Sequence, residues 1–422
     1  MTDEGARGFD TRTVHAGATP DPATGSRATP IYQTTSYEFE SADHAADLYA
    51  LSAEGDVYSR ISNPTVATLE DRLASLEGGT GAVATASGMA AFDAATLVLA
   101  EGGQNVVSAS SIYGGTRAYL QHTAQRRDID ARFVDTLDYD AYADAIDDDT
   151  AFVHVETIGN PALVTPDFDR LADVAHENGV PLVVDNTFAT PALCNPIEHG
   201  ADVVWHSTTK WIHGGGTTLG GVLVDSGDFD WTPEKHPEIA GENPAYDGLR
   251  FTDRFPDAPF AAAARYRATR SLGNAQHPFD AWQTLQGLET LALRMDRHSE
   301  NARIVAEYLT DHPAVDWVTY PGLDSHETHE NAARYLADYG GMLTFGLGDY
   351  DAAKSFCESV ELASFLANVG DAKTLVIHPA STTHAQMTED EQRASGVTPD
   401  MVRVSVGIES PEDILADFEV AL

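Results

Sequence analysis

The sequence carries very little positive charge. Lys and Arg together number 25 among 422 residues, against 66 Asp and Glu, which gives a formal net charge of -41. A surface of this charge repels phosphate backbones and anionic lipid headgroups, which excludes nucleic acid and membranes as expected partners. The acidic residues are spread along the chain rather than collected in a tail. This composition is typical of a halophilic protein, whose self-repulsion is screened by a high-salt cytoplasm.

Cysteine and long apolar runs are also scarce. Cys194 and Cys357 stand alone, without the paired spacing of a redox motif or a disulfide framework. Both are predicted to be small buried residues in a reducing compartment. The sequence lacks a run that approaches the ~18 apolar residues of a membrane span. The first residues are polar and acidic, unlike the apolar core of a signal peptide. We therefore predict a cytoplasmic protein.

Lysine is the scarcest charged residue, and one lysine stands in an unusual setting. The chain has lysine only at positions 210, 235, 354 and 373. Before Lys210, the strand-like run 202–207 breaks into small hydroxyl residues, and glycines follow at 214–216. This arrangement is typical of a lysine that presents its amine for Schiff-base chemistry. Taken alone, Lys210 is equally well explained as a solvated surface residue.

An acidic residue upstream suggests the cofactor that such a lysine would bind. The apolar run 181–186 predicts a buried strand with Asp185 at its carboxyl end. A buried carboxylate is costly without a cationic partner, and the protonated ring nitrogen of pyridoxal phosphate is such a partner. Asp185 alone has the simpler interpretation of a turn or cap residue. Lys210 and Asp185 together favour a pyridoxal-phosphate site.

The chain divides into three parts by composition and period. Residues 1–60 are rich in Thr, Pro, Ser and Gly and are predicted to form an extended arm. Residues 61–290 begin with a predicted helix over 65–76 and continue as apolar strands with helical spacers, which predicts a mostly parallel α/β sheet. The predicted strands are 82–86, 105–108, 131–134, 151–156, 181–186, 202–207 and 221–224. Ligands of such sheets lie beyond the carboxyl ends of the strands.

A smaller α+β domain is predicted over residues 291–422. One long amphipathic helix over 278–308 would connect it to the large domain. Within the small domain, strands are predicted over 341–347 and 401–406, and a helix over 352–360.

Short motifs follow the predicted strands. Ser87–Ala91 opens a helix after a strand, so the amides of Gly88 and Met89 can bind an anion; a glycine turn without a ligand is the alternative. Tyr113 follows another strand, where it can stack on a flat cofactor ring or fill an ordinary core or turn position. His206 and His213 flank Lys210 without a third ligand at metal spacing, so no metal site is predicted.

Eight motifs, in this order and over nearly the whole chain, resemble the Cys/Met metabolism family of pyridoxal-phosphate enzymes. They are Tyr58–Thr65, Ser87–Ala91, Tyr113–Thr116, Glu156–Pro161, Val184–Phe188, Ser207–Lys210, His378–His384 and Arg403–Glu409. Three further segments resemble the O-acetylhomoserine sulfhydrylase branch: Thr11–Gly17, Pro30–Tyr37 and Leu362–Asp371. The resemblance implies fold type I, with a large mostly parallel-sheet α/β domain and a smaller α+β carboxyl-terminal domain.

The resemblance also implies a role for each cofactor residue. Lys210 would bind the cofactor covalently and then transfer protons, Asp185 would pair with the ring nitrogen, and Tyr113 would stack on the ring. Asn160 would lie near the ring hydroxyl. The residues that would hold the phosphate are Gly88, Met89, Ser207 and Thr209, with Tyr58 and Arg60 from a neighbouring subunit. The active protein would then be a homo-oligomer, a tetramer built as a dimer of dimers.

On the substrate side, the resemblance implies that Arg403 clamps the carboxylate, a task that suits a planar bidentate donor. Asn160 and Tyr58 would also contact the substrate, and Asn368 stands where many relatives have Ser. The sequence departs from the family pattern at Gly215, where His or Gln is usual, while His213 appears two positions earlier. This departure changes the contacts expected for the loop after Lys210, not the expected cofactor.

The implied reaction is γ-replacement on O-acetyl-L-homoserine. Sulfide or methanethiol would replace the acetate to give L-homocysteine or methionine. The alternatives are a methionine or cystathionine γ-lyase, a cystathionine γ-synthase and, more remotely, a scaffold without catalysis. The sequence leaves open acetyl, succinyl or phosphoryl esters, and sulfide, methanethiol or cysteine as the nucleophile.

Overall fold

Two β-sheets organise the protein. The computed structural model describes residues 7–385, 388, 392–393 and 396–422. Its strands are β1 (Gly81–Thr85), β2 (Asn105–Ala109), β3 (Asp130–Val134), β4 (Thr150–Glu156), β5 (Leu182–Asp185), β6 (Val203–His206), β7 (Gly221–Asp225), β8 (Trp317–Thr319), β9 (Met342–Gly346), β10 (Ser364–Phe365), β11 (Leu375–Ile377) and β12 (Met401–Ser405). The first seven strands form the larger sheet and the last five form the smaller one.

Helices cover both sheets. The α-helices are α1 (Phe9–His15), α2 (Ala42–Tyr49), α3 (Pro64–Glu77), α4 (Gly88–Leu99), α5 (Gly114–Ala118), α6 (Tyr139–Ala145), α7 (Phe168–Glu177), α8 (Thr190–Leu193), α9 (Pro237–Ala240), α10 (Phe251–Arg254), α11 (Pro259–Ala263), α12 (Arg270–Leu272), α13 (Pro278–Leu288), α14 (Leu291–Asp311), α15 (His329–Tyr335), α16 (Tyr350–Ser359) and α17 (Pro411–Ala421). Two π-helical segments, Tyr119–Ala124 and Ala264–Thr269, continue α5 and α11. Single 3-10 turns lie at Gln125–Arg127, Pro196–His199, Pro244–Tyr246 and Pro379–Ser381.

The larger sheet has the strand order β1-β7-β6-β5-β4-β2-β3. Neighbouring strands are parallel except β7, which runs antiparallel to both β1 and β6. Helices pack on both faces, and every residue of β2, β4, β5, β6 and β7 is buried. Burial on both faces explains why these strands are continuous apolar runs rather than alternating ones. The predicted α/β fold is confirmed.

The smaller sheet has the order β10-β11-β12-β9-β8. It is antiparallel except between β10 and β11, and a second apolar core forms between this sheet and residues of α14, α16 and α17. This is the α+β part that the sequence predicted after the large sheet. The domain boundaries at residues 60 and 290 stay predictions.

Two expectations about helices are wrong. The region predicted as an extended arm contains α1 and α2, and the side chain of Ser41 caps α2 by accepting a hydrogen bond from the His44 amide at 3.0 Å. The single helix predicted over 278–308 is two helices, α13 and α14, separated at residues 289–290. The carbonyl of Gly287 accepts a hydrogen bond from the Arg294 guanidinium at 2.9 Å, a tertiary contact beside the break that the apolar period cannot reveal.

Within the described part of the chain, none of the helices has the length and apolar character needed to cross a membrane.

Candidate active site

A cavity of about 400 Å³ opens beyond the carboxyl ends of β4, β5 and β6, beside the first turn of α4. This is the expected position for a ligand of a mostly parallel sheet. It collects the predicted site residues apart from Tyr58 and Arg60. Those that line it are Gly88, Met89, Tyr113, Asn160, Asp185, Ser207, Thr209, Lys210, Asn368 and Arg403.

Asp185 is the last residue of β5 and lies at the floor of this cavity. Its Oδ1 accepts a hydrogen bond from the amide of Thr187 at 2.9 Å. Burial raises the pKa of Asp185 to about 6, against the opposing effects of the Thr187 hydrogen bonds and the charge of His206. An ionised Asp185 is therefore incompletely compensated by the protein. A protonated ring nitrogen supplies the missing positive charge, so this carboxylate fits pyridoxal phosphate.

Lys210 follows β6, and its side chain enters the cavity. Its Nζ donates a hydrogen bond to Oδ1 of Asn368 at 2.7 Å. Burial, and then the charge of Arg403, lower the pKa of the Lys210 amine. A larger unprotonated fraction makes the amine a better nucleophile and a better base, as Schiff-base chemistry requires.

Arg294 holds the loop that carries Lys210. This buried arginine of α14 donates to the carbonyl oxygens of Trp211 at 2.6 Å and Ile212 at 3.1 Å. Gly214 has φ 70°, and a Cβ there would lie 2.1 Å from the guanidinium of Arg294. The loop therefore needs glycine at this position for two reasons, its left-handed backbone and the close approach of Arg294. The glycines are visible in the sequence, but their contact with Arg294 is not.

Gly215, where the sequence departs from the family pattern, lies beside His213. The His213 ring forms a hydrogen bond with Oγ1 of Thr217 at 2.9 Å. Neither Gly215 nor His213 lines the cavity. Gly215 and His213 therefore belong to the loop and not to the cavity wall.

The start of α4 has the features of an anion-binding site. Ser87 caps this helix by accepting a hydrogen bond from the Ala90 amide at 3.2 Å, while the amides of Gly88 and Met89 precede any intrahelical acceptor. A Cβ on Gly88 would lie 2.7 Å from the Cβ of Ser207, so the helix start packs directly on the residue after β6. These amides, the helix dipole and the hydroxyl of Ser207 together suit a phosphate group.

The opposite wall carries a buried guanidinium. Arg403 of β12 donates a hydrogen bond from Nη1 to Oδ1 of Asn160 at 3.1 Å. Burial lowers the pKa of Arg403 to about 10, so it remains a cation at neutral pH. A buried cation without a carboxylate among its described hydrogen bonds fits an anionic substrate group. Thr383 and His384, which the sequence placed only in a motif, also line this wall.

Glu156 is a site residue to which the sequence assigned no role. It ends β4, pairs in register with Asp185 of β5, and lines the cavity. Its carboxylate accepts hydrogen bonds from the backbone amides of Tyr113 at 2.6 Å and Asn160 at 3.0 Å. Burial, and then the charge of Asp185, raise the pKa of Glu156 well above its ordinary value. Glu156 thus fixes the backbone of two predicted site residues, a contact that an apolar run ending in Glu does not reveal.

Tyr58 and Arg60 lie outside the cavity of their own chain. Tyr58 is 41% exposed, and the Arg60 guanidinium lies 5.5 Å from the centre of its ring. Arg60 also donates a hydrogen bond to the carbonyl of Arg270. Their contribution to the site of a neighbouring subunit stays a prediction.

Known proteins resemble this chain over its full length. A homocysteine synthase of Schizosaccharomyces pombe is 51% identical over 98% of this chain and 98% of its own. An O-acetyl-L-homoserine sulfhydrylase of Leptospira meyeri is 47% identical over 98% of this chain and 96% of its own. The crystal structure of a putative O-acetylhomoserine (thiol)-lyase of Campylobacter jejuni, solved with N'-pyridoxyl-lysine-5'-monophosphate, superposes with a TM-score of 0.95 at 38% identity, covering 98% of this chain and 99% of that chain.

The family model that matches residues 10–422 describes Cys/Met metabolism PLP-dependent enzymes. It spans both sheets and every residue of the cavity described above. With a lysine, a buried aspartate and the start of α4 meeting in that cavity, the chain belongs to the Cys/Met metabolism family of pyridoxal-phosphate-dependent enzymes.

Proposed function

We propose that the protein catalyses γ-replacement on O-acetyl-L-homoserine, with sulfide or methanethiol as the nucleophile and L-homocysteine or methionine plus acetate as the products. The observation that carries this proposal is the cavity that joins Lys210, Asp185 and Arg403, in a chain whose full-length relatives include a homocysteine synthase and O-acetyl-L-homoserine sulfhydrylases. The ester and the thiol are its small-molecule partners.

The side chains of the cavity divide the work of this reaction. Bound pyridoxal phosphate supplies an electron sink for the carbon chemistry. Arg403 binds the substrate carboxylate, and Asn160, which it holds at 3.1 Å, orients that group. Lys210, with its lowered pKa, removes the proton from Cα of the substrate. Asn368 accepts a hydrogen bond from the Lys210 amine and keeps the free amine in the cavity before the cofactor binds.

The remaining residues hold the cofactor in place. Asp185 stabilises the charge on the ring nitrogen. Tyr113 is 47% exposed and presents its ring to the face of the cofactor. The amides of Gly88 and Met89 and the hydroxyls of Ser207 and Thr209 bind the phosphate. Thr209 Oγ1 accepts a hydrogen bond from the Gly220 amide at 3.0 Å and donates to the Gly220 carbonyl at 3.2 Å, and the phosphate would take the place of that carbonyl as the acceptor.

Steady-state assays separate this reaction from the alternatives. O-acetyl-L-homoserine plus sulfide should give homocysteine, whereas cystathionine or methionine alone should give no 2-oxo acid. The same assay with succinyl and phosphoryl esters, and with methanethiol or cysteine, identifies the leaving group and the nucleophile. Rapid 2-oxo acid formation from methionine or cystathionine without a thiol would identify a γ-lyase and contradict the proposal.

We further propose that the site is completed by a second copy of the chain, in a tetramer made of two dimers. Arg60 packs against residues 270–273, where Leu272 is 47% exposed. Both Tyr58 and Arg60 therefore lie on a partly apolar surface that a partner subunit could cover while receiving their side chains in its phosphate site.

Mixing two inactive variants tests the shared site. Arg60→Ala and Lys210→Ala each damage every site in their own homodimer. After random subunit exchange, half of the dimers are hybrids with one intact site, so about a quarter of wild-type activity should return. Each variant subjected alone to the same exchange is the control. Hybrid dimers verified by mass but without activity, or an active monomer in light scattering, would contradict the shared site.

The charge of -41 leads us to propose a high-salt cytoplasm as the site of action. Salt at molar concentration screens repulsion between acidic subunits, so the exchange and the assays belong in that medium.

A further inference from the structure

A buried glutamate lies behind the candidate active site, on the far face of the sheet. Glu77 is the last residue of α3, and its exposure is 0%. The carboxyl end of a helix favours cations, so a buried carboxylate there is opposed both by the helix dipole and by the loss of water. A carboxylate at such a position requires strong compensating partners.

Those partners are the ends of two neighbouring strands. Oε1 of Glu77 accepts hydrogen bonds from Nδ2 of Asn186 at 2.9 Å and from Nε2 of His206. Asn186 also donates to the carbonyl of Cys194 at 2.9 Å and accepts from Oγ1 of Thr157 at 2.8 Å. The exposure of Asn186 and of His206 is likewise 0%. The cluster is therefore a buried polar group inside an apolar core, and within the described residues Oε2 of Glu77 and Nδ1 of His206 have no hydrogen-bond partner.

The positions of Asn186 and His206 link this cluster to the cavity. Asn186 follows Asp185 at the end of β5, and His206 precedes Ser207 at the end of β6, which is hydrogen-bonded to β5. Successive side chains of a strand point to opposite faces, so Asn186 and His206 turn away from the face that Asp185 and Ser207 present. On the cavity side, Oγ1 of Thr187 accepts a hydrogen bond from the Ser207 amide at 2.9 Å. The two strand ends are thus joined from both faces.

We propose that Glu77 is a positioning residue that fixes the distance between the ring-nitrogen subsite at Asp185 and the phosphate subsite at Ser207. This inference rests on the roles proposed above for Asp185 and Ser207. The ring and the phosphate belong to one small molecule, so its affinity depends on both subsites being engaged at the same time. The start of α4 packs on Ser207, so a shift of β6 would also move the phosphate-binding amides. The other ionisable groups that interact with the pair are Asp185, beside His206, and Cys194, beside Glu77.

The test compares pyridoxal phosphate with pyridoxal, which lacks the phosphate. Dissociation constants of both are measured on the full-length chain after the cofactor has been removed. Glu77→Gln keeps the shape of the side chain but removes the negative charge that binds the donors of Asn186 and His206 at the same time. We expect this variant to raise the dissociation constant of pyridoxal phosphate by about tenfold or more and that of pyridoxal by less than about threefold. Only pyridoxal phosphate occupies both subsites, so only its binding depends on the distance between them.

Glu70→Gln is the matched control. Glu70 lies on the same helix at 5% exposure, pairs with Arg265 at 2.7 Å and accepts a hydrogen bond from the Ala84 amide at 2.8 Å, but it does not bond to β5 or β6. It should lower the melting temperature without changing the affinity ratio, which is the dissociation constant of pyridoxal divided by that of pyridoxal phosphate. The proposal would be overturned if Glu70→Gln reduced the affinity ratio as much as Glu77→Gln does, or if Glu77→Gln left the ratio unchanged.

Two more variants complete the test. His206→Gln removes one partner of Glu77 and should reduce the same ratio, which keeps the inference testable if Glu77→Gln does not fold. An unchanged ratio in a folded His206→Gln would also overturn it. Ser207→Ala removes a proposed phosphate ligand and must reduce the ratio by itself. If it does not, the subsite assignment in the proposed function is wrong and the inference falls with it; if it does while Glu77→Gln has no effect, only the inference fails.

Discussion

Lys210→Ala is expected to lower kcat by at least about 10⁴-fold, because the variant loses both the covalent attachment and the group that moves the Cα proton. The visible absorbance of the lysine-bound cofactor should disappear as well. The fold should survive, since the Lys210 side chain makes a single described hydrogen bond, to Asn368, and its removal relieves the repulsion with Arg403. Steady-state kinetics, absorbance spectra and the melting temperature measure the three effects.

Lys235→Ala is the control for this variant. Lys235 bonds to the carbonyl of Asn178 at 2.9 Å, and neither residue lines the cavity. It should leave kcat and the spectrum unchanged. Activity within about a hundredfold of wild type in Lys210→Ala would mean that another group moves the proton.

Asp185→Asn is expected to slow turnover by about 10³-fold or more, which corresponds to about 4 kcal/mol of lost transition-state stabilisation. The amide keeps the size of the carboxylate and can still accept the Thr187 hydrogen bond, but it no longer stabilises a charged ring nitrogen. The cofactor should remain attached to Lys210. Single-turnover kinetics under saturating substrate isolate the step that removes the Cα proton.

Asp202→Asn is the matched control, because Asp202 lies just before β6, at the amino end of the strand that neighbours β5. It is buried as well, and its Oδ2 bonds to His176 at 2.8 Å and to the Leu182 amide at 2.7 Å. Its replacement should lower the melting temperature and leave kcat within about threefold of wild type. A comparable loss of kcat in both variants would attribute the effect to a weakened sheet and not to the ring nitrogen.

The sequence predicted the larger sheet because burial on both faces leaves a local signal. Each strand of this sheet is a short apolar run, and the polar residues that end β5 and follow β6, Asp185 and Ser207, mark the edge where ligands bind. Parallel strands bring their carboxyl ends to one edge, so residues far apart in the chain could be assigned to one site. Lys210 and Asp185 are found in a single cavity for this reason.

The residues that support the site were not predictable in the same way. Arg294 reaches the Lys210 loop from α14, and Glu77 reaches the ends of β5 and β6 from α3. Such contacts depend on how helices dock on the sheet, and a single sequence shows no period or motif for them. The helix break at 289–290 was missed because local composition does not reveal tertiary contacts such as that of Arg294 with Gly287. The helix α2 was missed although Ser41 is a local capping signal.

The attachment of pyridoxal phosphate to Lys210 in this cavity is directly measurable, because the chain has only four lysines. Borohydride reduction of the purified protein fixes the cofactor on its lysine, and peptide mass spectrometry then locates the pyridoxyl group. We predict one modified site per chain, at Lys210, and none after reduction of Lys210→Ala. A pyridoxyl group at Lys235, Lys354 or Lys373 in place of Lys210, or a protein that takes up no cofactor, would contradict it.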